Sequence, residues 1–204
     1  MGQPQDEFQE NVEDFGLGLG GMFAYRPGSG PLMIGADMEF AIYGSETRQE
    51  PFSLTIPDVT VEVKTSNNIL LLHALIRVQA NHGVFRPYLD GLIGMHYFFT
   101  QTEVRDEDDF EEEPIVSSFN QEDTAFSYGA GGGVMFLVHQ KQQQGEGSKL
   151  AEVLIDFRVR YSFGGEATYL KKGSITRDSG AVSIDPLRSR TDLLTYQLGM
   201  VFVF

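Results

Sequence analysis

The sequence predicts an all-β protein of one domain, residues 1–204, built as an antiparallel up-and-down transmembrane β-barrel of the eight-stranded class. Three observations support this fold class. Seven long runs alternate apolar side chains with small or polar ones at a period of two, which is the pattern of a β-strand with two different faces. Short turns and long polar segments alternate between the runs, as they do in membrane barrels. No stretch has the periodicity of a helix, so no helix is predicted.

Each run is identified by its own apolar face. The sixth run is the clearest, because Val153, Ile155 and Phe157 alternate there with Glu152 and Asp156. The runs are about 10–16 residues long, against an average of about 5–6 residues for the strands of soluble proteins. In chain order they cover residues 15–25, 32–43, 70–78, 89–99, 126–138, 152–163 and 194–204.

The connections between these runs alternate in length. Short turns follow the first, third and fifth runs. Long polar segments follow the second, fourth and sixth runs, and they are predicted as outer loops over residues 44–67, 102–123 and 164–190.

The net charge of −14 comes from two segments. Residues 1–14 carry five acidic residues and no basic one, and residues 103–123 carry ten acidic residues and Arg105. The rest of the chain is balanced, so the acidity belongs to solvated segments and not to the body of the fold. Such a chain lacks the basic surface that nucleic-acid binding requires, and no nucleic-acid partner is predicted.

Three absences limit the class of protein further. The chain has no cysteine, which excludes disulfides, thiolate metal sites and cysteine nucleophiles. No run approaches the about 18 apolar residues that identify a membrane helix. Residues 1–10 lack the basic and apolar regions of a signal peptide. The protein therefore stays in the cytoplasm, has lost its signal, or begins downstream of it.

The contrast between the two faces of the runs favours a membrane barrel over a soluble one. In a soluble sandwich or barrel the apolar face is buried, whereas in a membrane barrel it contacts lipid and the polar face lines the lumen. The polar face here is rich in glycine, which suits a crowded lumen and would be unusual on a solvated face. The charged and histidine side chains of this face are predicted to form one polar network, consisting of Asp37, Glu39, His73, Arg77, Asp90, His96, Glu152, Asp156, Arg158 and Arg160.

The polar network is predicted to fill the lumen as a salt-bridged plug, because an eight-stranded barrel is just wide enough for its own side chains. A proton or ion path through the charged residues is the alternative. His73 and His96 lie on neighbouring runs, where they either share the network or form a metal or catalytic site. No histidine pair has metal-ligand spacing, and no Ser–His pairing is found at strand spacing. No catalytic residue, metal or cofactor is predicted.

Three segments resemble the bacterial outer-membrane β-barrel family of small OmpA-like or opacity-protein-like barrels. Residues 85–94 are similar to a strand of this family that begins with Arg-Pro-Tyr, and residues 128–133 resemble its glycine-rich fifth strand. The last strand resembles the C-terminal signal that the outer-membrane assembly machinery reads, on the residues Tyr196, Leu198, Met200, Phe202 and Phe204. The resemblance implies a location in the bacterial outer membrane, contact with its lipid and lipopolysaccharide, and the assembly machinery as a partner.

The number of strands departs from this family. Such barrels have an even number of strands and two periplasmic ends, whereas seven runs are evident here. We expect residues 1–14 to be the first outer loop, with the first strand and the signal peptide upstream of Met1. The alternative is that residues 3–12 form a short, irregular strand that closes the barrel.

The resulting functional expectation is an integral, monomeric outer-membrane protein with a structural, adhesive or surface-interaction role. Three alternatives stay open. They are a narrow porin-like channel for small solutes, a barrel enzyme acting on lipids, and a soluble lipocalin-like ligand-binding barrel. A lipid enzyme would need a Ser–His pair on the barrel wall. Lipocalins carry a Gly-x-Trp near the start, and this chain has no Trp.

Overall fold

The structure, a computed structural model, describes residues 1–12, 15–53, 56–106, 116–140, 151–178 and 181–204. Most of these residues lie in β-strands. The elements in chain order are β1 (Gly2–Pro4), α1 (Asp6–Asn11), β2 (Leu17–Tyr25), β3 (Leu32–Ser53), β4 (Ile56–Gln79), β5 (Phe85–Asp106), β6 (Val116–Gln140), β7 (Glu152–Gly164), β8 (Glu166–Tyr169), β9 (Ile175–Asp178), β10 (Ala181–Ile184), β11 (Leu187–Arg190) and β12 (Leu193–Val203).

Eight strands form one large antiparallel sheet in the order β1-β12-β7-β6-β5-β4-β3-β2. From β2 to β7 each strand pairs with the next one in the chain, which is the up-and-down pattern. The other strands form two small antiparallel ladders, β9 with β10 and β8 with β11. The prediction of an all-β antiparallel fold is confirmed, and each of the seven runs coincides with most or part of one strand of the large sheet.

The two faces of the large sheet differ in polarity. The outer face exposes large apolar side chains, among them Leu19 at 78%, Phe23 at 74% and Leu198 at 72% exposure. The inner face buries polar side chains, and Arg77 is only 1% exposed. Because successive side chains of a strand point to opposite faces, the period-two pattern of the sequence produces this separation.

The sheet curves so strongly that strands distant in the ladder touch through the inner face. β3 and β7 are separated by three other strands. Nevertheless, Arg158 of β7 lies 3.5 Å from Asp37 of β3, and Arg160 of β7 lies 3.0 Å from Glu39 of β3. Inner-face side chains of strands that are not neighbours in the sheet therefore contact each other.

The two edges of the sheet approach each other at the N-terminus. Gly2 of β1 is the ladder partner of Thr195 in β12. On its other side, Gly2 exchanges two hydrogen bonds of 2.7 Å with Gly16, immediately before β2. Within the described residues, no other ladder pairing connects β2 to β1 or to β12.

The N-terminal segment differs from the sequence-based expectation. Residues 1–14 are expected to be an outer loop or an irregular strand, but the structure has the short strand β1 followed by the helix α1. The prediction that the chain has no helix is wrong for this segment. α1 has six residues, too few to give a helical period, and it is held by the side chain of Phe8, which is 0% exposed. Among the described residues, no helix has the length and apolar character needed to cross a membrane.

The segments predicted as long loops, 44–67, 102–123 and 164–190, contain strands, so their boundaries need correction. The strands β3, β4, β5 and β6 have 22, 24, 22 and 25 residues, and they continue well past the apolar runs. Each predicted strand ends where its apolar face ends. A ladder can continue beyond that point, because polar side chains are compatible with a strand that is solvated on both faces. The third segment folds into β8 to β11.

Candidate functional site

The centre of the polar network is an ion pair between neighbouring strands of the inner face. Arg77 of β4 and Asp90 of β5 are direct ladder partners. The Arg77 guanidinium donates hydrogen bonds of 2.6 and 2.8 Å to the two oxygens of the Asp90 carboxylate. The two side chains are 1% and 0% exposed. A two-point contact of this kind is the strong geometry for an arginine–carboxylate pair.

Arg160 connects this centre to β3 on the far side of the sheet. Its guanidinium lies 3.0 Å from Asp90, 2.8 Å from Asp37 and 3.0 Å from Glu39. A guanidinium has five N–H donors, so one side chain can contact several carboxylates that would otherwise be buried without a partner. Arg160 therefore links three strands, β3, β5 and β7.

Arg158 forms the next layer together with a tyrosine. Its guanidinium donates hydrogen bonds of 3.0 Å to the hydroxyl of Tyr88 and to Oε1 of Gln197, and it pairs with Asp156 at 2.5 Å. The Tyr88 hydroxyl in turn donates to Asp156 at 2.6 Å. The Arg77 guanidinium carbon lies 3.7 Å from the centroid of the Tyr88 ring, which is cation–π geometry.

The last member of the network, Glu152, pairs with a residue that the sequence analysis missed. Arg86 donates to its two carboxylate oxygens at 2.6 and 2.9 Å. Arg86 and Tyr88 share the period-two face of Asp90, but they lie before residue 89, where the predicted run begins. Continuing the alternation back to the preceding turn would have found both residues.

Two histidines occupy the inner face near the opposite end of the network. His73 of β4 and His96 of β5 have ring centroids 5.7 Å apart, with an angle of 88° between the rings. His96 Nδ1 lies 3.5 Å from the hydroxyl of Thr191. Its Nε2 is buried and has no hydrogen-bond partner among the described residues. The same part of the chain contains no group of three or more His, Asp or Glu side chains arranged to hold a metal ion.

His73 also forms the Ser–His contact that the sequence analysis did not find. Its Nε2 lies 2.8 Å from Oγ of Ser127. A pair at strand spacing is not involved, because these residues lie 54 positions apart on β4 and β6, with β5 between them. Ser127 is 0% exposed and His73 is 6% exposed. The pair is therefore enclosed, and it links two strands by a hydrogen bond inside the fold.

Glycines on the inner face of β6 make room for this network. A Cβ atom at Gly131 would collide with the Arg160 side chain, and one at Gly133 would collide with the Tyr88 ring and hydroxyl. A larger residue at either position would displace a member of the network. Gly131 and Gly133 therefore leave the space that Arg160 and Tyr88 occupy, and they also allow the close approach of the β7 backbone.

An aromatic cap, consisting of Phe8, Tyr43, Phe98 and Tyr169, closes the histidine end of the inner face. The Phe8 ring of α1 lies 5.7 Å from Tyr43, 5.7 Å from Phe98 and 5.0 Å from Tyr169 by ring centroids. The four residues are at most 3% exposed. Edge-to-face packing of this kind is favourable for aromatic rings.

Backbone contacts hold the segment β8–β11 over this cap. The Tyr43 hydroxyl donates to the Leu170 carbonyl at 3.1 Å. The Asp123 carboxylate accepts hydrogen bonds from the backbone amides of Thr124 at 2.8 Å and Thr168 at 2.7 Å. Partial burial acts to raise the pKa of Asp123, but these amides lower the pKa below its ordinary value. The segment thus reaches across from β3 to β6.

A cavity of about 920 Å³ opens between β2 and β12 and reaches the polar network. Its walls include Gly18 and Gly20 on one side, Gln197 and Gly199 on the other, and Arg158 at its inner end. The cavity lies where the large sheet has no hydrogen-bonded ladder. The network is consequently closed at its aromatic end and accessible from the side.

The residues predicted to form a C-terminal assembly signal lie on the outer face of β12 or just after it. Tyr196, Leu198, Met200 and Phe202 are between 42% and 72% exposed, and Phe204 is 83% exposed. They alternate with inner-face residues such as Gln197.

The fold and the site define a class of protein in which one large antiparallel sheet encloses an ion-pair network and exposes an apolar outer face. Comparison of the chain with known protein families, with curated proteins and with solved structures gives no match.

Proposed function

We propose that the chain is an integral β-barrel protein of a bacterial outer membrane, with a side-chain-filled lumen and a structural, adhesive or surface-interaction role at its outer end. The observation that carries this proposal is the inverted polarity of the sheet. Soluble monomers rarely expose contiguous apolar patches larger than a few hundred Å². Here the exposed apolar side chains follow one face of every long strand of the large sheet.

The backbone arrangement supports membrane insertion. A segment that crosses the hydrocarbon layer must satisfy all its backbone hydrogen bonds internally, which strands achieve only in a closed barrel. The up-and-down order of the strands suits closure, and so does the contact of β3 with β7 across the interior. Gly2 bonds to both edges of the sheet, which supports a ring closed through β1.

The filled centre of the interior supports a non-conducting role over the porin-like alternative, and the cavity of about 920 Å³ lies beside this centre, between β2 and β12. The guanidinium groups of Arg77, Arg158 and Arg160 occupy the centre, and the aromatic cap covers one end. An eight-stranded lumen has space for little more than such side chains.

The long strands support a role for the outer end. A membrane-spanning strand needs about 9–11 residues, whereas β4 has 24 and β6 has 25. About half of each long strand is therefore free to project beyond the bilayer as an extension of the sheet. A rigid extension of this kind presents a surface to molecules outside the cell.

One pair of substitutions tests the proposal. Ile93 lies on the outer face near the middle of the apolar part of β5 and is 56% exposed. Ile93→Arg should destabilise a membrane barrel by about 2–4 kcal/mol, because an arginine would face the centre of the bilayer. Thr47→Arg, at an exposed position of the projecting part of β3, is the matched control and should be nearly neutral.

The protein should be refolded from urea into phospholipid vesicles, and its stability measured by urea titration with far-UV circular dichroism and gel mobility before boiling. A protein that folds in plain buffer and tolerates Ile93→Arg within about 0.5 kcal/mol would contradict the proposal, as expected for a soluble surface. Stepwise conductance in planar bilayers would favour the channel alternative.

A further inference from the structure

Two strand edges of the large sheet face each other without a ladder between them. We call this space the slot. It lies between residues 17–25 of β2 and residues 197–203 of β12, and the cavity of about 920 Å³ runs along it. The slot ends at Met1, because β1, which starts at Gly2, lies between the same two strand edges and pairs with both.

β1 already has the hydrogen-bonding pattern of a strand with a neighbour on each side. The Met1 nitrogen donates a hydrogen bond of 3.0 Å to the carbonyl oxygen of Tyr196 in β12, and the Tyr196 amide donates one of 2.8 Å to the carbonyl oxygen of Met1. Gly2 exchanges hydrogen bonds with Gly16 on the opposite side. Successive residues of a strand point their backbone groups to alternate sides, so this alternation identifies β1 as one end of an internal strand.

The registers of the two edges define how many residues the slot has space for. Gly2 pairs with Thr195, and β12 ends at Val203, eight residues further along that edge. Gly2 also bridges to Gly16, and β2 ends at Tyr25, nine residues further along the other edge. Met1 occupies the first of these positions on each edge. The slot therefore has space for seven residues beyond Met1 along β12 and for eight along β2.

The two edges also agree on which way each side chain would point. The second residue before Met1 would lie between Leu198 and Leu19, which are 72% and 78% exposed on the outer face. The third residue would lie between Gly199 and Gly20, both on the inner face. A register error of one residue would place an outer-face position opposite an inner-face one.

The slot has free space for additional side chains. A Cβ atom at Gly199 would meet no other atom within 4 Å. Gly18, Gly20 and Gly199 are exposed although they lie on the inner face, where Asp90 and Asp156 are 4% and 3% exposed. The inner face is therefore exposed along the slot.

We propose that the slot is the binding site of one further β-strand, seven or eight residues long, that leads directly into Met1. It runs antiparallel to both β12 and β2. Its second, fourth, sixth and eighth residues before Met1 are apolar and face outward, and the residues between them are small and face the polar network. The inference rests on the proposed function in one respect, because the outward residues are apolar only if that face meets lipid. Unpaired strand edges are a hazard for aggregation, and this strand removes two of them.

The test is a designed extension on the chain, read out by disulfide formation. An eight-residue segment with the stated alternation is fused to Met1, with a cysteine at its second position before Met1, and combined with Leu19→Cys. A second variant carries the cysteine at the third position and Gly199→Cys. The natural chain has no cysteine, so no competing disulfide can form. Phe23→Cys replaces Leu19→Cys in the control, because it lies four residues further along β2, beyond the about 7 Å that a disulfide can bridge between Cα atoms.

We expect both pairs to convert to the cross-linked form when a mild oxidant is added, and the Phe23→Cys control to stay reduced. An extension with the inverted alternation should lose the cross-link in both pairs. Equal cross-linking of Leu19→Cys and Phe23→Cys, or cross-linking of neither designed pair in protein that has folded by circular dichroism, overturns the proposal. Cross-links in protein that folds without detergent would support the strand while refuting membrane insertion, so the two proposals fail separately.

Discussion

The buried ion pair at the centre of the inner face predicts a large loss of stability when only one partner is removed. Arg77→Met keeps a long side chain over the Tyr88 ring, but it removes two hydrogen bonds of 2.6 and 2.8 Å from the Asp90 carboxylate. The Asp90 side chain is fully buried, so water cannot replace the two lost hydrogen bonds. Breaking a buried pair in this way typically costs about 3–5 kcal/mol. Asp90 keeps Arg160 at 3.0 Å, so the expected cost is about 3 kcal/mol, the lower end of that range.

Two further variants separate burial from charge. Arg188→Met removes an ion pair with Glu166 whose side chains are 70% and 60% exposed, and it should cost about 0–1 kcal/mol. The double variant Arg77→Met with Asp90→Leu removes both buried charges. It should recover part of the loss, because replacing a whole buried pair by apolar residues is often neutral, while Arg160 loses Asp90 but keeps Asp37 and Glu39.

Stability should be measured by urea titration in detergent micelles or vesicles. Far-UV circular dichroism is the suitable signal, because the chain has no tryptophan. A cost for Arg77→Met below about 1 kcal/mol, equal to that of Arg188→Met, would refute the reasoning, since it is the value expected for a solvated pair. No recovery in the double variant would show that Arg77 acts through packing and not through Asp90.

Three other substitutions test separate parts of the interior. Ser127→Ala leaves His73 Nε2 without its 2.8 Å partner and should cost about 1–3 kcal/mol in the same titration. Phe8→Ala empties the centre of the aromatic cap and should cost about 3–5 kcal/mol, whereas Phe15→Ala, at a side chain 56% exposed, should be far milder. Equal effects of these two would contradict the assignment of Phe8 to the interior. Gly129→Ala should prevent folding, because its Cβ would collide with the backbone of β7, and a folded variant with native gel mobility would argue against that contact.

The strands of the large sheet could be predicted because alternation is a local property of the sequence. The alternation around Val153 and Asp156 indicates which side chain belongs to the apolar face and which to the polar face, and it needs no information about another strand. Arg86 was missed because the predicted run begins at residue 89, although the same local alternation includes it. The contact of Ser127 with His73 was missed for another reason, because it depends on the register and the curvature of the sheet, and a single run contains neither.

The helix α1 and the projecting ends of the strands were missed for different physical reasons. α1 is too short for a period, and Phe8 becomes informative only when Tyr43 and Phe98 are known to surround it. The projecting strands lose their apolar face once they leave the apolar band, so the period-two signal ends before the ladder does. Ladder pairs such as Val63 with Val104 continue beyond that point.

The charges of the interior are paired, whereas the excess of acidic residues lies elsewhere in the sequence. The inner network holds its charges in contact, with five carboxylates near the four guanidinium groups of Arg77, Arg86, Arg158 and Arg160. The net charge of −14 comes instead from the sequence segments 1–14 and 103–123. The charges that stabilise the interior are therefore separate from those that set the net charge.

Exposed charges are screened over about 8–10 Å at physiological ionic strength, whereas buried pairs are screened much less. Added salt should consequently leave the unfolding midpoint almost unchanged. A midpoint that falls steeply with salt would place the stabilising charges at the surface. That result would contradict the separation between an interior network that stabilises the fold and the acidic segments that set the net charge.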